Sequence, residues 1–447
     1  MKHKENLSAL VCLKESLNIK EGMSVGAVWT VYQLAKEIGI EKVLGRSFNG
    51  KLALWQVIAR VIEQGSRLSA VRLAKIHAAC DVLDINRGFD ENDLYENLGW
   101  LADNQQRLEI ELLTARRSDS KPRLFLYDVT SSYLEGNQNY FGEYGYNRDK
   151  KTGKKQIVIG LLCDEYGEPV STEVFRGNTK DTQTFQSQVK KAAELFGCKE
   201  VTFVGDRGMI KSTQIDVIKD EDFHYISAIT KPQIESLIRK GIFQYEFFEE
   251  NICEIEYDDI RYILRRNPIR AEEMSKSRMS KQEYIERLVK KKNLYLDGCY
   301  VIKTDLSESA ADKQTVHDRY KELAQVEQAF RDCKTVSLEV RPVFVRSKKS
   351  TQGHVLVVML AYMIIRKLRQ AWANLDMTVE EGLKQLSTLC SAEIKIDKKY
   401  SCLKIPIPRK ESQTLLQALK IKLPSALPHR DVRVVTRKKL PERRLTA

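Results

Sequence analysis

The 447-residue sequence predicts an α/β protein, a mixed sheet with helices on its faces between two helical flanks. Three observations predict it. Short β-rich runs alternate with helical segments from Leu124 to Thr230. Before them, apolar residues recur three and four apart, as on one face of a helix. Two of the apolar runs end on an aspartate, Asp128 and Asp206, where a buried strand has no ordinary use for charge.

Residues 1–118 read as helical, with Val28, Val31, Leu34 and Ala35, then Leu54, Val57, Ile58 and Val61 at helical spacing. Gly65-Ser66 and Asn86-Arg87-Gly88 are breaks, and Ser120-Lys121-Pro122 is a boundary. Leu124 to Thr130, Gln156 to Asp164 and Pro169 to Gly177 then read as strands, the last two joined by a turn at Glu165-Tyr166-Gly167-Glu168. Thr182 to Phe196 is a helix with Asp181 as its expected N-cap, Val201 to Asp206 a strand, Lys211 to Ile218 a short helix and Phe223 to Thr230 a strand.

The segment 231–311 interrupts this alternation with β-rich runs at Phe243–Phe248, Ile252–Tyr257 and Arg261–Arg265. A charged helical stretch, Arg270–Lys292, and a strand at Tyr300–Thr304 follow. Beyond a helix at Tyr320–Lys334 come a loop around Arg341-Pro342, a long helix at Thr351–Ala373 and a basic tail from Arg430 to Arg444. The expected domains are a helical 1–118, a core of 119–230 with 312–375, a β-rich insertion of 231–311 and a helical, basic 376–447.

Composition narrows the function. Hydrophobic residues make up 42%, enough for a globular core. Lys and Arg number 74 against 61 Asp and Glu, a net charge of +13 that favours a polyanionic partner. The nine cysteines are scattered without C-x2-C spacing, which argues against a zinc site or disulfide framework and fits a reducing cytoplasm. Six unclustered histidines give a histidine metal site little support, and His354 reads as structural. The polar N-terminus has no signal-peptide core. The most apolar stretch, His354–Ile365, falls short of the roughly 20 residues of a membrane span. The expectation is a soluble cytoplasmic protein with no membrane partner.

Three acids carry the chemistry. Taken singly, each has an ordinary explanation. Asp128 can begin a turn, Asp206 can turn or pair with a cation, and Glu327 can pair with Arg331 at i+4. Glu327 is the most telling, because Tyr320, Leu323, Glu327, Phe330 and Lys334 are spaced three, four, three and four and share one helix side. Phosphoryl transfer gives a reason for the three acids together. Mg²⁺ prefers hard oxygen ligands, and two ions about 3.5–4 Å apart can serve the attacking and leaving oxygens. Lys334 is then placed to hold a phosphate.

At these residues the sequence resembles the DDE transposases of bacterial insertion sequences, in particular the cut-and-paste group with a β-rich insertion before the catalytic glutamate. That group carries Tyr, two residues, usually Arg, three residues, Glu, six residues, Lys. Here the motif reads Tyr320, Leu323, Glu327, Lys334, with Leu in place of Arg, which removes a phosphate contact and makes Leu323 a core residue. Asp128-Val129-Thr130-Ser131 and Gly205-Asp206-Arg207-Gly208-Met209 match the two aspartate motifs. Gly145–Lys150, Gly177–Asp181, Arg341-Pro342-Val343 and Gly353-His354 extend the likeness, which runs from about Lys121 to Lys367.

The resemblance implies a ribonuclease H-like core, with Asp128, Asp206 and Glu327 binding two Mg²⁺ ions, for which Mn²⁺ can substitute. It also implies DNA partners: terminal inverted repeats and target DNA, engaged by a homodimer in a synaptic complex. Tyr320, Lys334, Arg207 and Arg341 are the expected DNA or phosphate contacts, with Arg346, Lys348 and Lys349 as further cations. The basic turn Lys150–Lys155 is a solvated loop or a DNA contact. The aromatics of Phe243–Phe248 are sheet core, or one of them stacks a flipped base. A catalytically inactive DNA-binding descendant and a nuclease without strand transfer are the alternatives.

Overall fold

The computed structural model describes residues 17–117, 121–146, 148, 152–249, 251–284, 296–334, 338, 343–396, 400–428, 430 and 432–437. In chain order β1 is Leu17–Ser24, followed by α1 Gly26–Glu37, α2 Ile40–Leu44, α3 Phe48–Ile62, α4 Arg67–Ile76, α5 Ala79–Leu83 and α6 Glu91–Arg117. The central part holds β2 Leu124–Tyr133, β3 Gln156–Asp164, β4 Pro169–Arg176, α7 Asp181–Glu194, β5 Thr202–Gly205, α8 Ser212–Asp220, β6 His224–Ala228 and α9 Lys231–Arg239. Then come β7 Cys253–Tyr257, β8 Ile260–Arg266, α10 Pro268–Tyr284, β9 Cys299–Thr304, α11 Lys313–Lys321 and α12 Leu323–Lys334. The chain finishes with α13 Lys348–Ala371, α14 Val379–Ser387, β10 Cys390–Ile396, β11 Tyr400–Lys404, α15 Lys410–Ala418 and β12 Ala426–Leu427.

The chain forms two compact units. One contains residues 120–131 and 158–330; the other contains 1–119, 132–157 and 331–447. The larger sheet has eight described strands in the order β4-β3-β2-β5-β6-β9-β8-β7. β2, β5 and β6 run parallel, and β9, β8 and β7 continue antiparallel, so the sheet is mixed. β3 is buried at every position, as a strand covered on both faces requires. The turn between β3 and β4 is as expected: Asp164 N–H donates to the Glu168 carbonyl at 3.0 Å, and Gly167 takes φ +69°.

Four expectations are corrected. The helical flanks also contain strands: β1 pairs antiparallel with β10 in a sheet of four described strands ordered β1-β10-β11-β12. A short apolar-polar alternation, Leu17-Asn18-Ile19-Lys20, carries this signal, which helical spacing downstream masks. Phe243–Phe248 is not a strand. Its last four residues form a 3₁₀ turn, and Phe243 and Phe248 bury into the cluster around Ile234, Leu264 and Val301. Lys180, not Asp181, occupies the N-cap of α7, so Asp181 opens the helix itself. The Tyr320–Lys334 helix is two helices, α11 and α12, meeting at Glu322. Gln325 N–H donates to the Glu322 carbonyl at 2.8 Å, three residues back, which tightens the chain there.

In the unit that includes both flanks, α13 is the central rod. Its apolar stretch from His354 to Ile365 is buried throughout, so it is core. Ser347 caps it through a bond from Ser350 N–H. His354 is structural: the Arg67 guanidinium meets its Nδ1 at 3.0 Å. Burial, with Arg60 nearby, holds Arg67 down to about 9. The basic tail runs back along the N-terminal helices as far as Arg437, whose N–H donates to Glu91 at 3.1 Å; residues 438–447 and the expected helix end at 285–292 lie outside the described residues.

Candidate active site

Strand register builds the site. β2 and β5 are parallel, with Tyr127 opposite Gly205. The next residues, Asp128 and Asp206, are therefore neighbours on strands about 5 Å apart. The crevice beyond the carboxyl ends of parallel strands is where open α/β sheets bind ligands. Asp128 lies in the middle of β2, since the strand runs on to Tyr133, and not at a strand end as the sequence implied. Polar Ser131 and Ser132, past the expected end at Thr130, hid this continuation; both are buried.

Asp206 is exposed and begins a tight turn. Met209 N–H donates to its carbonyl at 2.9 Å, and Arg207 N–H donates to its Oδ1 at 2.8 Å. Arg207 is exposed beside it. Asp128 is half-buried and accepts the Val129 N–H at 2.7 Å.

Tyr320 links Asp206 to the Glu327 helix pair. Its hydroxyl donates to Asp206 Oδ1 over a long 3.5 Å. Burial first, then the Asp206 carboxylate and more weakly Glu327, push the Tyr320 phenol well above the usual phenolic range. Arg207 opposes this shift, so it too lies close to Tyr320. Glu327 is exposed on α12, whose Leu323, Val326, Ala329 and Phe330 are buried. Leu323 is a core residue, as its place in the motif implied.

Lys334 is the last residue of α12 and belongs to the other unit. There Arg369 Nη1 grips the neighbouring Asp332 at 2.5 Å, tying the helix end to α13. Arg341 and Pro342 lie outside the described residues, as do Asn147 and Asp149 to Lys151. Among the described residues, no group of three or more acids, histidines and cysteines is set closely enough to hold a metal ion. The adjacent Asp128 and Asp206 offer only hard carboxylate oxygens, a donor set that suits Mg²⁺ or Mn²⁺.

Two nearby groups escaped the sequence reading. Asp181 Oδ2 lies 3.8 Å from where a side chain on Gly208 would begin, placing a further carboxylate against the Asp206 turn. Its position at the start of a helix made it look like a cap. His317 is a buried residue of α11, with its ring stacked beside Tyr300. Its Nδ1 bonds Asp318 Oδ1 at 3.0 Å, while Nε2 receives Tyr300 Oη at 2.8 Å and Arg265 Nη1 at 2.9 Å. These contacts fix the neutral ring with its proton on Nδ1.

Burial, chiefly, and the charges of Arg265 and Lys321 lower the His317 pKa from 6.5, against the opposing pull of Asp318. The folded pKa is depressed, so this contribution to stability is fully present above pH 6.5 and is lost as pH falls toward the folded value. Thermal unfolding followed across pH 5–7.5 is expected to show that loss, and His317→Gln to flatten it. An unchanged profile in the variant refutes the assignment.

With the site's geometry in place, similarity to known proteins gives it a family. The sequence profile of the family described as Transposase DDE domain matches residues 119–364, more than half of the chain and all three acids. The chain belongs to this DDE transposase family. No curated protein matches the chain. Among solved structures, a piggyBac transposase synaptic complex with hairpin DNA matches at 11% identity, over 75% of this chain and 69% of that one, with a TM-score of 0.40. A Mos1 transposase paired-end complex with the left transposon end matches at 10% identity, over 64% and 79%, with a TM-score of 0.19. No described helix is long and apolar enough to cross a membrane.

Proposed function

We propose that the protein is a DNA transposase of the bacterial insertion-sequence type that cleaves DNA at the element ends and joins the 3′-hydroxyl ends to target DNA. The observation that carries this reading is the register of β2 and β5, which makes neighbours of Asp128 and Asp206 within a DDE-family chain. The 119–230 and 312–375 segments are read as a ribonuclease H-like core, with 231–311 as an insertion. Residues 1–118 are assigned to end binding and dimer contacts, and the basic 376–447 to the C-terminal region.

Asp128 and Asp206 would hold divalent metal, with Glu327 completing the set from α12. Mg²⁺ or Mn²⁺, when bound, supplies Lewis-acid polarisation of the phosphate. The chain's own residues position the DNA. Arg207, exposed on the turn after Asp206, would meet a phosphate oxygen, and Tyr320 would orient the Asp206 carboxylate through its hydroxyl. Lys334 and Arg341 are assigned to DNA-backbone contacts, and Asp181 to steadying the Asp206 turn. No covalent protein nucleophile is needed.

Tyr320→Phe is expected to lower the cleavage rate about tenfold, the weight of one lost hydrogen bond to a charged group. Its melting temperature should be unchanged, and a rate equal to wild type refutes the positioning role. Joining tests the function itself. Pre-cut element ends with free 3′-hydroxyls, incubated with protein, Mg²⁺ and a supercoiled plasmid, are expected to become covalently linked to the plasmid. Hydrolysis without joining would identify a nuclease, and binding without either reaction an inactive descendant.

A further inference from the structure

Within seven residues the chain exposes three tyrosines, Tyr140, Tyr144 and Tyr146, at 50%, 62% and 82% of their surface. Each has a cation over its ring: Lys348 above Tyr140 at 5.9 Å, Lys155 above Tyr144 at 5.8 Å and Arg148 above Tyr146 at 5.6 Å. Three rings half or more exposed within so short a segment are uncommon, although Tyr140 also packs edge-on against Phe141 at 5.0 Å. The strap that carries them is nevertheless fixed. Asn139 Nδ2 donates to the Val345 carbonyl at 2.6 Å and to Thr351 Oγ1 at 2.9 Å, while Tyr140 N–H donates to the Arg346 carbonyl at 2.9 Å. At the other end Glu143 and Gln156 exchange backbone bonds at 3.0 and 3.1 Å.

We propose that this tyrosine strap is a docking surface for unpaired DNA bases, the rings stacking on bases while Lys348, Lys155 and Arg148 meet the flanking phosphates. Exposed rings interleaved with cations are the composition that binds single strands without sequence preference, because every base has a face to stack. Cations alone would suffice for the outside of a duplex, whose bases are already stacked, so the rings point to an unpaired strand. The net charge of +13 complements the same ligand. The strap extends the DNA reading above to an unpaired strand, and it rests on that reading only for its biological setting.

The test compares full-length protein binding to a labelled single-stranded oligonucleotide and to the matching blunt duplex, by fluorescence anisotropy. Replacing all three tyrosines with alanine is expected to weaken single-strand binding by at least about tenfold and duplex binding by less than about threefold. Tyrosine-to-phenylalanine replacements at the three positions keep the stacking faces and should retain single-strand affinity; circular dichroism confirms the fold of both variants. Equal losses on both DNAs, no loss with alanine, or no single-strand binding by wild type would each overturn the proposal. Asp206→Asn keeps the strap intact and should bind the single strand as wild type does. Cleavage by that variant would count against the catalytic reading and leave the strap standing.

Discussion

Asp206→Asn is expected to reduce DNA cleavage by about a thousandfold or more, since metal polarisation contributes several kcal/mol and each 1.36 kcal/mol is tenfold in rate. Asp128→Asn should behave alike, because the two carboxylates are neighbours by the parallel register of β2 and β5 and, in the proposed site, would serve one cation set. Asparagine keeps the size and one oxygen of aspartate but not its charge, so both variants should fold and bind DNA like wild type. A gel shift alongside a single-turnover cleavage assay separates binding from chemistry. Wild-type cleavage by either variant removes that residue from the site. The exposed position of Asp206 makes a folding defect a poor explanation for its loss of activity.

The second large effect is structural. Gly353 sits on the central helix α13 where α6 crosses it, and a Cβ there would lie 2.1 Å from the Leu98 carbonyl oxygen and 2.8 Å from its carbon. Backbone cannot yield as a flexible side chain can, so the two helices must move apart. Gly353→Ala is therefore expected to destabilise this unit by about 3 kcal/mol, at the upper end of overpacking costs. In a unit of this size that corresponds to a fall in melting temperature of about 5 °C or more. Calorimetry of the full chain measures it, and an unchanged transition shows that the helices do not approach so closely. His354 beside it is held by Arg67, which explains structurally why the Gly353-His354 pair stood out as a motif.

The sequence made the parallel-strand core legible because its strands are short, apolar and bounded by turn residues. β3 and β4 occur where the run of Ile157, Val158, Ile159 and the later Val170 and Val174 place them. Asp128 and Asp206 were identifiable as acids out of place in apolar runs, but their adjacency depends on strand pairing, which periodicity does not contain. The break at Glu322 was hidden because its residue types are ordinary helix formers, so an even three-four spacing ran through it. β1 and β10 were missed for a related reason: they pair across 366 or more residues, and neither strand has enough apolar length to declare itself. The exposed tyrosines could not be told from core aromatics by sequence, because exposure is decided by what packs over them.

Carboxylate-directed, metal-dependent cutting of DNA ends is the central activity proposed for this chain. Its most direct test incubates the full chain with DNA carrying flanking inverted repeats, in Mg²⁺ or in EDTA, and maps the new ends to the nucleotide. Breaks are expected at the repeat ends, leaving 3′-hydroxyls, forming in Mg²⁺ or Mn²⁺ and vanishing in EDTA and in Asp206→Asn. Breaks that persist in EDTA, or that form equally in Asp206→Asn, would contradict it.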